Sequence, residues 1–345
     1  MENTNLNQTG EMAAVLFCFP HLQGSCPRTL RLSVIRVAMY VFMVTTILMT
    51  VCGNLLVIIS ISNFKQLHNP TNFIILSLAV VDCCLGCFIM PFSMIRSVEG
   101  CWYLGKHFCK VHSSLDMMLS TTSILHLCLV SIDRYWAICN PLQYKTKVTV
   151  FKVILSIVIT WSFSFIFSFG VVFSEVNTVG LEMLIIMTSC IGSCLLFFNK
   201  QWGIIAPLVS FFIPGAVMTC LYIKIFHVAR RHAKVMSDRV ATVTRHELKN
   251  QASEQRERKA AKTLAIVMGV FLLCWLPFFI TTVIDPFINF MTPIVVFDAL
   301  VWFGYFNSMC NPVIYGFFYP HFQKTFKIIL AKIFGMNTTS IIVLS

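Results

Sequence analysis

Asp116 stands in the run VHSSLDMMLSTT, a carboxylate inside a segment whose composition suits hydrocarbon better than water. An ionised group there costs a few kcal/mol or more unless it is paired or hydrated, which makes it a candidate for function. The chemistry open to it is ion pairing. No Lys or Arg sits at an obviously matching depth in the other apolar segments, so its partner is either a ligand ammonium or water and hydroxyls within the protein. The residue alone leaves both readings open.

Three further constellations carry chemistry. Asp82, in LSLAVVDCCLG, has Ser123, Asn307 and Asn311 as expected neighbours. Such a set of oxygens suits a small hard cation, sodium being the natural one, and equally a closed hydrogen-bond network without an ion. Asp133-Arg134-Tyr135 lies farther along the segment of Asp116. Arg134 is about 27 Å from Asp116 along one helix, which places it at the opposite membrane boundary. Asp133 beside it and Glu257 are both able to hold its guanidinium, and a clasp between two helices is a switch. A snorkelling surface arginine is the plainer reading. Phe271, Trp275, Phe278 and Phe279 recur at helical spacing. Such a stripe is either core packing or, ending at the depth of Asp116, the wall of a pocket for an apolar body or a cation face.

The elements that must position these residues are membrane helices. The chain has 345 residues, 57% hydrophobic and 12% charged, with a mean hydropathy of +0.79, outside the range of soluble domains. Seven segments reach the roughly 20 apolar residues that a span needs: 36–61, 72–95, 107–135, 149–173, 203–228, 259–284 and 294–318. The fold expected is an all-α seven-helix transmembrane bundle with a short amphipathic C-terminal helix. Residues 1–35 form an outer segment, 36–318 the bundle and 319–345 an inner helix and tail. Pro91, Pro214, Pro277 and Pro312 interrupt four spans and are expected to bend them.

No basic stretch with a cleavage site precedes the first span, which is therefore expected to act as an uncleaved anchor. Lys65, Lys145, Lys147, Lys152 and ten basic residues from Arg230 to Lys262 crowd the loops after odd-numbered spans. That asymmetry puts those loops in the cytoplasm and the N-terminus outside. Arg28, Arg31 and Arg36 argue mildly the other way. The formal net charge of +12 then describes an inner face near anionic lipid and acidic partners, not nucleic acid. Six of fifteen cysteines, Cys18, Cys26, Cys101, Cys109, Cys190 and Cys194, fall on the outer, oxidising side and suggest bridges. Asn7-Gln8-Thr9 is an outer glycosylation sequon; Asn337-Thr338-Thr339 is expected inside and unused.

Taken in order, GNLLV around Asn54, LAVVD at Asp82, Cys109, Asp133-Arg134-Tyr135, Trp161, Pro214 with Tyr222, CWLP at 274–277 and NPVIY at 311–315 resemble the rhodopsin-like class of G-protein-coupled receptors. Asp116, the FF after CWLP, and Trp302 with Tyr305 resemble its amine branch. FKQLHNPTNF, MPFSMIRSVEGCWYLG, RKAAKTLAIVMGVFLLCWLPFF and GYFNSMCNPVIYGFFYP are similar to the trace amine-associated receptors, subtypes 2 to 4 above all.

The resemblance implies an ammonium bound at Asp116, Trp275 beneath the pocket, and Tyr305 bonded to the acid. It implies an activation switch that includes Tyr222, Tyr315, Phe271, Pro214 and Ile124, and coupling to a stimulatory G protein that raises cyclic AMP. Most of the family detect volatile amines in olfactory neurons, which places the chain at the plasma membrane, cilia included. It also implies Cys109–Cys194; Cys18–Cys190 and Cys26–Cys101 are the expected N-terminal pairs among fifteen possible pairings.

Two departures stand out. The family's Tyr-x-Trp-Phe after the seventh span reads Tyr319-Pro320-His321-Phe322 here, which bears on expression or coupling. The fifth-span acid that suits diamines in some members is replaced by Ala206-Pro207, with Ser210 one turn on, which favours a monoamine. Rival readings are a receptor for a non-amine, a non-signalling relic, a secondary transporter or a retinal photoreceptor. The transporter lacks an inverted repeat, and Tyr305 fills the position of the retinal lysine. No paired nucleophile and base, phosphate loop or metal cluster points to an enzyme.

Overall fold

The computed structural model describes residues 17–238, 245–318 and 320–333. Among these, seven helices are long and apolar enough to cross a bilayer: Ser33–Asn63, Pro70–Glu99, Gly105–Cys139, Val150–Ser174, Trp202–Val228, Ala265–Phe287 and Ile294–Phe317. At 1.5 Å per residue the shortest reaches about 34 Å, enough for the hydrocarbon core of a membrane. The described residues hold two isolated β-bridges and no strand. A short helix, Pro320–Ile333, follows the seventh span and packs on the first and seventh. The chain is therefore an all-α seven-span bundle with a short C-terminal helix, as its hydropathy requires.

The third span is the hub and touches the second, fourth, fifth and sixth. Its central window is 56% buried against 17% for the fourth, so the fourth turns most of its surface to lipid. This explains why polar residues concentrate on the third span: Ser114, Ser120, Thr121, Thr122, Ser123, His126 and Ser131 are all buried there. Ser114, Thr122 and Ser131 return their protons to the carbonyl four residues back, while Ser123 and His126 reach across to Asp82 and Ser77.

Two of the four prolines act on local geometry in the same way. A helical proline lacks a donor and its ring clashes with the carbonyl four residues back. For Pro91 and Pro214 that carbonyl belongs to Cys87 and Ser210, and each lies inside a π-helical turn, Leu85–Ile89 and Leu208–Phe212. The wide turn accommodates the ring and re-aims the side chains that follow.

At the outer end three disulfides close the loops. Cys109–Cys194 joins the third span to the second outer loop, with Cα atoms 5.7 Å apart. The N-terminal pairs differ from those expected: the bridges are Cys18–Cys101 and Cys26–Cys190, not Cys18–Cys190 and Cys26–Cys101. Main-chain pairing decides the outcome. Cys26 N–H donates to Ile191 O at 2.9 Å and Ile191 N–H to Gly24 O at 2.8 Å, which lays Cys26 beside Cys190. Cys18 is left against Gly100 and Gly192, next to Cys101.

The three arginines that opposed the orientation rule are bound rather than free. Arg28 and Arg36 both pair with Glu99 at the end of the second span, the latter at 2.6 Å, and Tyr40 donates to the same carboxylate at 2.7 Å. Arg31 donates to the carbonyls of Ser97 and Val98. Arg28 and Arg36 are thus tied to Glu99 and Arg31 to two carbonyls, which fixes all three at the end of the second span.

Candidate functional site

A cavity of about 710 Å³ opens among the spans at the disulfide-bonded end. It is lined by all six residues expected to meet a ligand: Asp116, Ser210, Trp275, Phe278, Phe279 and Tyr305. Asp116 is partly buried, with one oxygen accepting from the Tyr305 hydroxyl at 2.6 Å and the other from Ser120 at 3.5 Å. Tyr305 is itself fully buried and packs edge-on against Trp302, which donates to Ser97 at 3.2 Å.

The aromatic wall is continuous. The Trp275 ring lies 5.9 Å from Phe278 and 5.7 Å from Phe279, and Phe279 stacks on Phe211 at 4.5 Å. Phe211 continues to Phe271 at 5.5 Å, and Phe271 and Ile124 are both buried in the central core beneath. Gly304 lets the seventh span approach the tryptophan: a Cβ there would lie 2.6 Å from a Trp275 ring carbon. Ser210 faces the cavity but donates its proton to Ala206 O at 2.7 Å, so its oxygen is what it offers.

Sequence reasoning missed the charges at the mouth. Arg31, Arg96, Asp285 and Asp298 also line the cavity. Arg96 pairs with Asp298 at 3.7 Å, and Asp285 accepts from Thr292 N–H at 3.2 Å. With Asp116 this makes three carboxylates against two guanidinium groups, a formal net charge of −1. The signal was present in the sequence as Arg96 near the end of the second span and Asp298 at the start of the seventh, but their pairing needs the fold.

Deeper in the bundle, Asp82 accepts from Ser123 at 3.1 Å, Ser308 at 2.8 Å and Asn311 at 2.8 Å. Asn307 does not join them. One residue along a helix is a rotation of about 100°, and the seventh-span face presented to Asp82 carries Ser308 and Asn311. Asn54 reaches the same region from the first span, donating to Ser308 O at 3.2 Å. The amide of Asn307 and the Asn311 Oδ1 are buried without a hydrogen-bond partner. Carboxylate, hydroxyl and spare amide oxygens form a donor set suited to sodium.

At the inner end Asp133 holds Arg134, whose Nε lies 2.9 Å from Oδ2, and accepts from Thr71 and Tyr144, each at 2.8 Å. Arg134 also meets Thr71. Thr71 and Tyr144 were not foreseen; Thr71 stands in the first turn of the second span and Tyr144 within the short helix Pro141–Lys147 that follows the third. The side chains of Glu257 and His321, with Asn7 and Tyr319, fall outside the described residues. Tyr135 packs edge-on against Trp136 and beneath Lys224. Tyr222 bridges two core clusters, Pro214 follows its π turn, and Tyr315 stacks on Phe322 of the C-terminal helix at 5.9 Å.

Residues 53–315 match the family described as 7 transmembrane receptor (rhodopsin family). The chain is 52% identical over 315 residues to trace amine-associated receptor 4 of Rattus norvegicus, covering 91% of each. It is 54% identical to human trace amine-associated receptor 2, covering 92% of this chain and 89% of the relative. Human trace amine-associated receptor 1 is 48% identical, covering 94% and 96%. The chain belongs to the trace amine-associated receptors. As a trace amine-associated receptor it is a multi-pass receptor of the plasma membrane and not an enzyme. Its three disulfides, two of them anchoring the segment before the first span, form part of this receptor's outer architecture.

Proposed function

We propose that this receptor binds a small, protonated monoamine at Asp116 and signals through a stimulatory G protein, raising cyclic AMP. The observation that carries the reading is the Asp116 carboxylate, held by Tyr305 in a cavity walled by Trp275, Phe278 and Phe279. An ammonium gains a charge-assisted bond there, and the rings take the apolar body or the cation's flank. The cavity's formal charge of −1 is balanced by one cation, and Ala206, Pro207 and Ser210 supply no second acid on the fifth-span wall. That favours primary monoamines over diamines.

Binding favours the conformation in which the sixth span swings outward and opens a basic cleft around Arg134, releasing its pairing with Asp133 and the clasp expected from Glu257. Asp82, Ser123, Ser308 and the spare Asn311 oxygen are proposed as the seat of an allosteric sodium ion, with Asn307 outside it. Volatile amines and olfactory cilia complete the reading and rest on resemblance to the family, and a glycan on Asn7 rests on its sequon. The test is Asp116→Ala in cells expressing the receptor at the surface. Amine-evoked cyclic AMP should disappear or shift by more than about 30-fold, the lower end of what losing a buried charge pair costs. Unchanged potency would overturn the proposal.

A further inference from the structure

We infer that Ser93 and His112 are positioning residues that orient the Tyr305 hydroxyl toward Asp116. This rests on the amine reading of Asp116 above and extends it behind the visible wall, since neither Ser93 nor His112 lines the cavity. Both are buried, Ser93 fully and His112 to within 1%. Ser93 follows the π turn Leu85–Ile89 and Pro91, which turn it and Ser97 toward the seventh span. Its Oγ lies 3.3 Å from the Tyr305 hydroxyl and 3.5 Å from His112 Nε2.

The direction of each proton follows from the partners. Tyr305 has one hydroxyl hydrogen and gives it to Asp116 at 2.6 Å, so Ser93 is the donor to Tyr305. Ser93 oxygen is then left to accept. His112 Nε2 lies between that oxygen and the Ile89 carbonyl, 3.2 Å away. A carbonyl only accepts, so Nε2 carries the hydrogen. Nδ1, buried and without a partner, is the bare nitrogen. Trp102, 5.1 Å from the imidazole, and Phe92, 6.2 Å from it, hold the ring in place. The single Nε2–H is shared between the Ile89 carbonyl and the Ser93 oxygen, while the hydrogens of Ser93 and Tyr305 both point toward Asp116. Aligned bonds polarise one another in a low-dielectric interior, so the far end of the chain strengthens the bond at the carboxylate.

A double-mutant cycle tests this. The probes are 2-phenylethylamine, isoamylamine and cyclohexylamine, read as cyclic-AMP potency at matched surface expression. Ser93→Ala should cost about five-fold, the worth of one neutral hydrogen bond, but less than about two-fold in the Tyr305→Phe background. Ser93→Thr and His112→Gln, which keep a hydroxyl and an ε-nitrogen donor, should retain potency; His112→Phe should not. Equal fold-losses for Ser93→Ala in both backgrounds, or failure of the conservative variants where the receptor reaches the surface, overturn the inference. The same cycle on the melting temperature of purified, amine-free receptor reads the coupling without a ligand, and additive shifts there also overturn it. If none of the probes signals, or Asp116→Asn leaves potency unchanged, the amine reading fails, and the melting cycle still decides whether the chain of bonds exists.

Discussion

Replacing Gly304 with alanine tests whether the floor of the cavity is as tightly packed as it looks. The new Cβ would meet three Trp275 ring carbons at 2.6, 2.8 and 2.9 Å, against an ordinary contact of 3.4–4 Å. The ring must therefore retreat by roughly 0.8 Å or the spans must part, since helix backbone cannot yield locally. Trp275 is 4% exposed and flanked by Phe278 and Phe279, so its retreat pushes the aromatic wall into the space an amine body needs. Overpacking of this kind costs about 1–3 kcal/mol. If it falls on the bound state, potency drops roughly 5- to 150-fold. Gly269→Ala is the matched control, because a Cβ at Gly269 meets nothing within 4 Å. It should leave potency alone and stabilise the sixth span by up to about 1 kcal/mol through helix propensity. The assay is amine-evoked cyclic AMP with surface expression measured in the same cells, plus the melting temperature of each purified variant. Potency within two-fold of wild type for Gly304→Ala, at equal expression, would refute the packing argument.

The remaining predictions concern bonds outside that wall. Non-reducing digestion followed by mass spectrometry should recover the Cys26 peptide joined to that of Cys190, and Cys18 joined to Cys101; the opposite pairs would contradict the observed loop pairing. Sodium should weaken agonist potency in wild-type membranes and have no such effect in Asp82→Asn, because the variant keeps hydrogen bonding but loses the charge a cation needs; a persisting sodium effect would remove Asp82 from the site. Glu99→Gln should lower the melting temperature more than Arg36→Gln does, since one carboxylate serves Arg28, Arg36 and Tyr40 together. Equal effects would mean that these partly exposed pairs act independently and weakly.

What was legible beforehand follows from which forces act along the chain. The spans could be read because hydrocarbon demands a continuous apolar run, and the bundle followed from counting them. Asp116 and the aromatic stripe could be placed at one level because depth is a residue count along a helix, whereas Tyr305 was joined to the acid through resemblance to the amine receptors. Asn307 was assigned to Asp82 by depth alone, and depth does not tell Asn307 from Ser308; rotation about the helix axis does. The cysteine pairing failed for a related reason. Cys18, Cys26, Cys101 and Cys190 converge on one patch, so proximity favoured no pairing, and the choice fell to main-chain bonds of Gly24, Cys26 and Ile191 that side-chain types do not announce. Nothing in the residue types marks Glu99 as the partner of Arg28 and Arg36, because only the fold brings the end of the second span beside the start of the first.

The cavity wall includes Cys26, Pro27, Thr29 and Arg31, none of which belongs to a span. Stapled through Cys18 and Cys26, this stretch acts as an interchangeable panel set into a rigid frame. The space open to a ligand is therefore bounded in part from outside the bundle, by a stretch whose Arg28 and Arg31 also hold the end of the second span.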